Sequence, residues 1–304
     1  EITLGARAPS QPLTFMTADG QACRYTEPLP SCELAAALSA QGTEAQRDAC
    51  VDRHFAVWQE QVAQAQAAFS PTLVVSHSGK DSFTFEMAER FFTKALAWEA
   101  ETGFLVCHET HRKRFLHSPW VARDFFRRFP AIRSGIKMCA DLSHWINVAE
   151  TNCDDAVLTS VIEDLADRFY HVHCRVGYDH GPQVADPRAP EWLPYMEGHE
   201  RWWDAIWAAQ ARRGDTVTTM IAEHGPPNYQ QTLPYSREPV ACIWDVNHWI
   251  HLRRQARFAQ LYGKENSSRV TESASQGYAP AALAAEHEKH AAGSNGCAAP
   301  ETGA

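Results

Sequence analysis

No stretch of this sequence approaches the roughly 18–20 consecutive apolar residues that a bilayer-spanning helix needs. Its N-terminus also lacks the basic, then apolar, then small-residue order of a secretory signal. Both absences lead to the expectation of a soluble, cytoplasmic chain with no membrane partner. Concentrated positive charge is missing too. The formal net charge is −9, and the only dense basic runs, His111 to Arg114 and Arg253 to Arg257, are short. Proteins that grip a phosphate backbone present a basic face, so nucleic acid is not the expected partner. The nine cysteines contain no CxxC pair. Cys107, Cys139 and Cys174 sit inside apolar runs, a pattern that fits buried, reduced thiols better than a disulfide framework. No internal repeat is present.

What the sequence does contain is alternation. Short β-rich runs at 72–77, 104–109, 136–141, 170–175 and 216–223 are separated by helical stretches at 84–102, 119–128, within 145–168, and at 197–213, with a further helix at 240–262. That order predicts βα units around a parallel sheet. Upstream, Val51, Phe55, Trp58, Val62, Ala65 and Phe69 recur at helical spacing across 43–69, and Thr43 with Gln46 forms a capping box. Residues 13–17 are read as one more strand of the same sheet. The tail from Lys264 is rich in Ala, Ser, Gly and Glu and poor in large apolar residues, which predicts disorder over 264–304, with at most a short helix at 280–292. The chain therefore divides into 1–263, one α/β domain, and 264–304, a low-complexity tail. Six strands fall short of the eight of a closed TIM barrel, so the N-terminal βα units are expected to be lacking or irregular.

Four of these strands end in a residue able to bind a cation: Glu109, Asp141, His173 and Glu223, at intervals of 32, 32 and 50 residues. A strand, a helix and two loops occupy about 30 residues, so each would stand at the same end of its strand. The longer last interval is accounted for by the loop from Gly177 to Pro194. One carboxylate at a strand end is ordinarily a cap or a salt-bridge partner. Three buried together with an imidazole would be costly without a cation. Oxygen donors with one nitrogen suit Mn²⁺ first, with Mg²⁺, Co²⁺ or Zn²⁺ also accommodated. His77, His111, Arg112 and Arg175 lie on the same rim and are candidate substrate contacts, His77 alternatively a ligand of a second metal. Trp120, Trp145 and Tyr178 are candidates for an apolar wall.

The set Val75-Ser-His77-Ser-Gly79, His108-Glu109-Thr-His111-Arg112, Asp141-Leu-Ser-His144-Trp145, His171-Val-His173-Cys-Arg175 and Glu223-His-Gly-Pro226 resembles the xylose-isomerase-like TIM barrels of the sugar phosphate isomerase and epimerase family, over residues 13 to 262. The resemblance implies a metal-dependent isomerase of carbohydrate metabolism with a small-molecule sugar substrate. It places Glu109, Asp141, His173 and Glu223 as metal ligands, Glu109 and Glu223 also as the catalytic acid/base pair, and His144 beside the metal or the substrate. The chemistry is coherent: a carboxylate removes a proton next to a carbonyl, and a Lewis acid stabilises the enediolate. Two departures stand out. Apurinic endonucleases of similar fold carry an Asp-x-His pair where this chain has Asp186-Pro-Arg188. Many ketose epimerases have an arginine at the position of Asp179. A lyase acting on an oxidised sugar, an apurinic endonuclease-like hydrolase and a non-catalytic barrel are the alternatives, and self-association is left open.

Overall fold

A computed structural model describes residues 43–263, together with three short strands upstream: β1 (Ile2–Leu4), β2 (Leu13–Met16) and β3 (Ala22–Tyr25). The predicted tail, 264–304, lies outside the described residues. The order that follows is α1 (Glu44–Phe69), β4 (Val74–Ser76), α2 (Phe85–Thr102), β5 (Val106–Glu109), α3 (Pro119–Arg128), α4 (Pro130–Gly135), β6 (Met138–Ala140), α5 (Leu142–Ala149), α6 (Ala156–Leu165), β7 (Phe169–Cys174), α7 (Leu193–Arg213), β8 (Thr219–Ala222) and α8 (Ile243–Tyr262).

Strands β4 to β8 pair in chain order, all parallel, and curl into half a barrel with the helices outside. A full ring is not formed among the described residues. One strand assignment needs correction. The run at 13–17 is a strand but not a member of this sheet: Leu13–Met16 pairs antiparallel with Ala22–Tyr25. The connection between them is too short for the crossover of a dozen or more residues that a parallel return needs. Instead, β1 lies parallel to β4, with Ile2 opposite Val74.

The helices form where the sequence signals them. Thr43 accepts from the Gln46 backbone at 3.2 Å while the Gln46 side chain accepts from Thr43 N–H at 2.8 Å, completing the capping box. The apolar face of α1 buries Val51, Trp58, Val62 and Ala65, but Phe69, at the last turn, is 40% exposed. Gly103 closes α2 at φ 72°, a left-handed conformation that glycine adopts without strain.

Strand alternation sorts the side chains into two layers. Val74, Val106, Met138, Ala140, Val172 and Cys174 face outward into the main core beneath the helices. Leu73, Val75, Cys107 and Cys139 face inward as a small apolar floor. Between β6 and β7 the register shifts, so that Met138 opposes Phe169 while Cys139 opposes His171. A bulge of this kind adds one residue to one strand, which lets Phe169 stay in the outer core while His171 turns inward. Cys50, Cys107, Cys139, Cys153 and Cys174 are buried thiols outside any disulfide. Cys242 is disulfide-bonded, so an all-thiol reading does not hold for that residue. Among the described residues no helix is long and apolar enough to cross a membrane.

Candidate metal centre

The strand ends carry the inward parity one step beyond the apolar floor. Two residues past Val75 stands His77, past Cys107 stands Glu109, past Cys139 stands Asp141, and past His171 stands His173; Glu223 follows β8 directly. Glu109, Asp141, His173 and Glu223 each offer a ligand atom, all within 4.8 Å of one another. The four residues singled out as ligands are thus brought together.

Asp141 is fixed by its position as N-cap of α5. Its Oδ1 accepts from the Ser143 backbone at 3.2 Å and from Ser143 Oγ at 2.5 Å, and Oδ2 lies 2.8 Å from Arg175 Nη2. Gly177 makes this possible. A Cβ there would sit 2.6 Å from the Ser143 carbonyl oxygen, so only glycine lets the loop after β7 press against α5. His173 Nδ1 lies 2.7 Å from Glu223 Oε2 and 3.3 Å from Glu109 Oε1.

Arg175, fully inside at 3% exposure, bridges Asp141 and Glu223, with Nη2 2.9 Å from Glu223 Oε2. Named as a candidate substrate contact, it stands among the carboxylates, under the ring of Tyr229 at 4.5 Å. Arg112 likewise turns to protein partners. Its Nε donates to His144 Nδ1 at 3.1 Å and its Nη1 to Asn147 Oδ1 at 2.9 Å. That bond makes His144 Nδ1 an acceptor, so Nε2 carries the proton and faces Asp141 Oδ2 at 3.4 Å. His144 is wholly buried and braces Asp141 rather than lining open space. His77 Nε2 lies 2.6 Å from Glu109 Oε2, and the His77 and His111 rings stand 4.1 Å apart.

Trp145 is also fully buried, its indole N–H donated to the Leu116 carbonyl, so it belongs to the core and not to a substrate wall. Tyr178 meets Trp192 at a tilt and Tyr195 edge-on, and Trp120 lies beneath Arg123. The Asp186 carboxylate is closed off by Arg188, Nε to Oδ1 at 2.8 Å and Nη2 to Oδ2 at 2.7 Å. It does not extend the cluster toward a three-metal site.

Burial would raise Glu109 and Asp141, but His77 and His173 hold the first well below the usual carboxylate range, and Arg175 with His144 do the same for the second. Burial dominates at Glu223 and pushes its carboxyl up, against His173 and Arg175. Burial would depress His173, yet Cys139, Glu223 and Glu109 hold it well above its ordinary value. Three carboxylates therefore meet one guanidinium and one imidazole that their charge holds toward its protonated form.

The donors fit a divalent cation. Both oxygens of Glu109 and Oε2 of Glu223 are shielded from solvent, and despite their short distances to neighbouring nitrogens none makes an aligned hydrogen bond. Their partners are ion pairs without hydrogen-bond alignment, so these oxygens keep acceptor capacity that a cation could use. Residues that sequence reasoning missed are Cys139 and His171, which form a further potential ligand group with His173, and Tyr229. Alternation could have found Cys139, two residues before Asp141. Nothing local marks Tyr229. In comparisons with known proteins, no family model and no curated protein matches the chain.

Proposed function

We propose that this chain is a divalent-metal-dependent isomerase or epimerase of a sugar or sugar derivative. The observation that carries the reading is the convergence of Glu109, Asp141, His173 and Glu223 within 4.8 Å at the ends of four consecutive parallel strands. Three carboxylates and one imidazole suit Mn²⁺ best, with Mg²⁺, Co²⁺ and Zn²⁺ accommodated. A cation held there supplies Lewis acidity to the adjacent oxygens of an α-hydroxy carbonyl. The protein's own groups do the rest. Glu223, whose side chain is 29% exposed against 1% for Glu109, is the carboxylate positioned to meet a substrate and exchange the proton beside its carbonyl. Glu109 is the second member of the acid/base pair, on the buried side. Arg175 keeps Asp141 and Glu223 from repelling each other. Cys139 and the apolar floor beneath it keep water out from below.

The test is a panel of keto- and aldo-sugars, phosphorylated and not, assayed under Mn²⁺, Mg²⁺ and Co²⁺. Glu223→Gln is expected to lower turnover at least ~100-fold, the scale of lost general acid/base catalysis, with the circular dichroism spectrum unchanged. Protein that retains no metal after purification, and whose Tm does not rise when Mn²⁺ is added, would sink the reading.

A further inference from the structure

Glu109 faces two ways. Its Oε1 lies toward His173, 3.3 Å away, whereas its Oε2 lies 2.6 Å from His77 Nε2. On that second side, His77, Glu109 and His111 each offer a ligand atom within 4.8 Å of the others. We propose that these three residues form a second divalent-cation site, with Glu109 bridging it to the first. The proposal rests on the reading of the carboxylate cluster as a cation site and adds a neighbour to it.

Three observations carry it. Glu109 is 1% exposed, and Oε2, like Oε1, makes no aligned hydrogen bond, so a buried acceptor is aimed at the two imidazoles. His111 is oriented as a ligand histidine is: its Nδ1 lies 2.6 Å from the Arg112 carbonyl oxygen and must donate to it, which puts the proton on Nδ1 and leaves the Nε2 lone pair free. The rings of His77 and His111 are 4.1 Å apart with an interplanar angle of 32°, close enough to share one ion. Neither side is supplied by the helical layer: all three residues sit at or just beyond inward-facing strand ends, on β4 and β5.

The donor chemistry differs from that of the first site. Two imidazole nitrogens and one carboxylate oxygen, with further positions open to solvent, favour a borderline ion such as Zn²⁺ or Co²⁺ over Mg²⁺. His144, whose ring centroid lies 4.0 Å from that of His111, is not a fourth ligand, because Arg112 already holds its Nδ1 and its Nε2 carries a proton facing Asp141.

The experiment is metal stoichiometry on the full chain. Protein stripped with a chelator is titrated with Zn²⁺ by calorimetry and, after desalting, its bound metal is counted by plasma mass spectrometry. Two ions per chain are expected, falling to one in His111→Ala. A parallel measurement needs no variant: Mn²⁺-loaded wild-type protein should give the paramagnetic resonance signature of a carboxylate-bridged, exchange-coupled pair. One ion per chain, unchanged in His111→Ala and lost in Asp141→Asn, with only an isolated-Mn²⁺ spectrum, overturns the second site and leaves the proposed function standing. No bound ion overturns both.

Discussion

A buried acid away from the cluster illustrates how single residues are constrained here. Glu99 of α2 is 3% exposed and holds His108 Nε2 at 3.1 Å and Lys137 Nζ at 3.2 Å. His108 Nδ1 lies 2.6 Å from Ser78 Oγ, which meets Ser76 Oγ at 3.0 Å, and that oxygen accepts from the Trp58 indole at 2.9 Å. Glu99→Ala would leave this chain of polar groups unpaired under the helices. Breaking a buried ion pair costs about 3–5 kcal/mol, and urea unfolding should report a loss of that size with little change in metal affinity. A loss under about 1 kcal/mol would show the network to be solvated. His108 and Glu109 are adjacent in one motif, yet they serve opposite faces of β5, since successive strand residues alternate. The inward set was legible from that rule alone. What each rim residue touches was not: Arg112 and Arg175 are long enough to reach solvent or protein, and only packing decides.

Elements at the rim are held by side-chain amides where the described residues supply no neighbouring strand. Asn247 of α8 accepts from the His224 N–H at 2.8 Å and donates to the His224 carbonyl at 3.0 Å. Gln183, in the loop after β7, does the same for Gly225, at 2.7 and 3.0 Å. Together they satisfy the backbone just past Glu223 as a ladder partner would. Asn247→Ala is therefore expected to weaken the first cation about 10-fold or more, the range for lost support of a ligand, measured by Mn²⁺ titration. An unchanged affinity would remove the amide from any positioning role. A second contact between elements is tighter still. A Cβ on Gly198 of α7 would lie 2.1 Å from Cys153 Cβ, so Gly198→Ala should lower stability by about 1–3 kcal/mol, read as a drop in Tm. The helices were legible from capping boxes, terminal glycines and apolar spacing, and β4 to β8 from their recurrence with helices between. The strand at 13–17 was legible as a strand only. A run of β-formers does not say which strand it pairs with.

For the whole molecule, two buried histidines outside the candidate ligand set impose an acid limit. Burial depresses His54 to about 3, helped by Lys80 and Arg114, and His199 to about 4. Both rings accept a backbone N–H at Nε2, from Gly79 and Gly177 respectively. The unfolded chain protonates them near 6.5 and the folded chain does not. Their contribution is complete above that pH and is lost as pH falls from 6.5 toward the folded values, by up to about 1.4 kcal/mol per pH unit for each. Denaturant unfolding between pH 7.5 and 5 should show this slope, and His199→Gln should make it shallower. An unchanged slope in that variant would assign the acid sensitivity elsewhere. The half-barrel has a further consequence. Three of the four residues of the proposed first centre are walled in by strands on either side, whereas Glu223 follows β8, the last strand of the sheet among the described residues, where Ile221 is 40% exposed. On the proposed reading ions would enter and leave past Glu223, with the other three residues as a preformed cradle and this one as its latch.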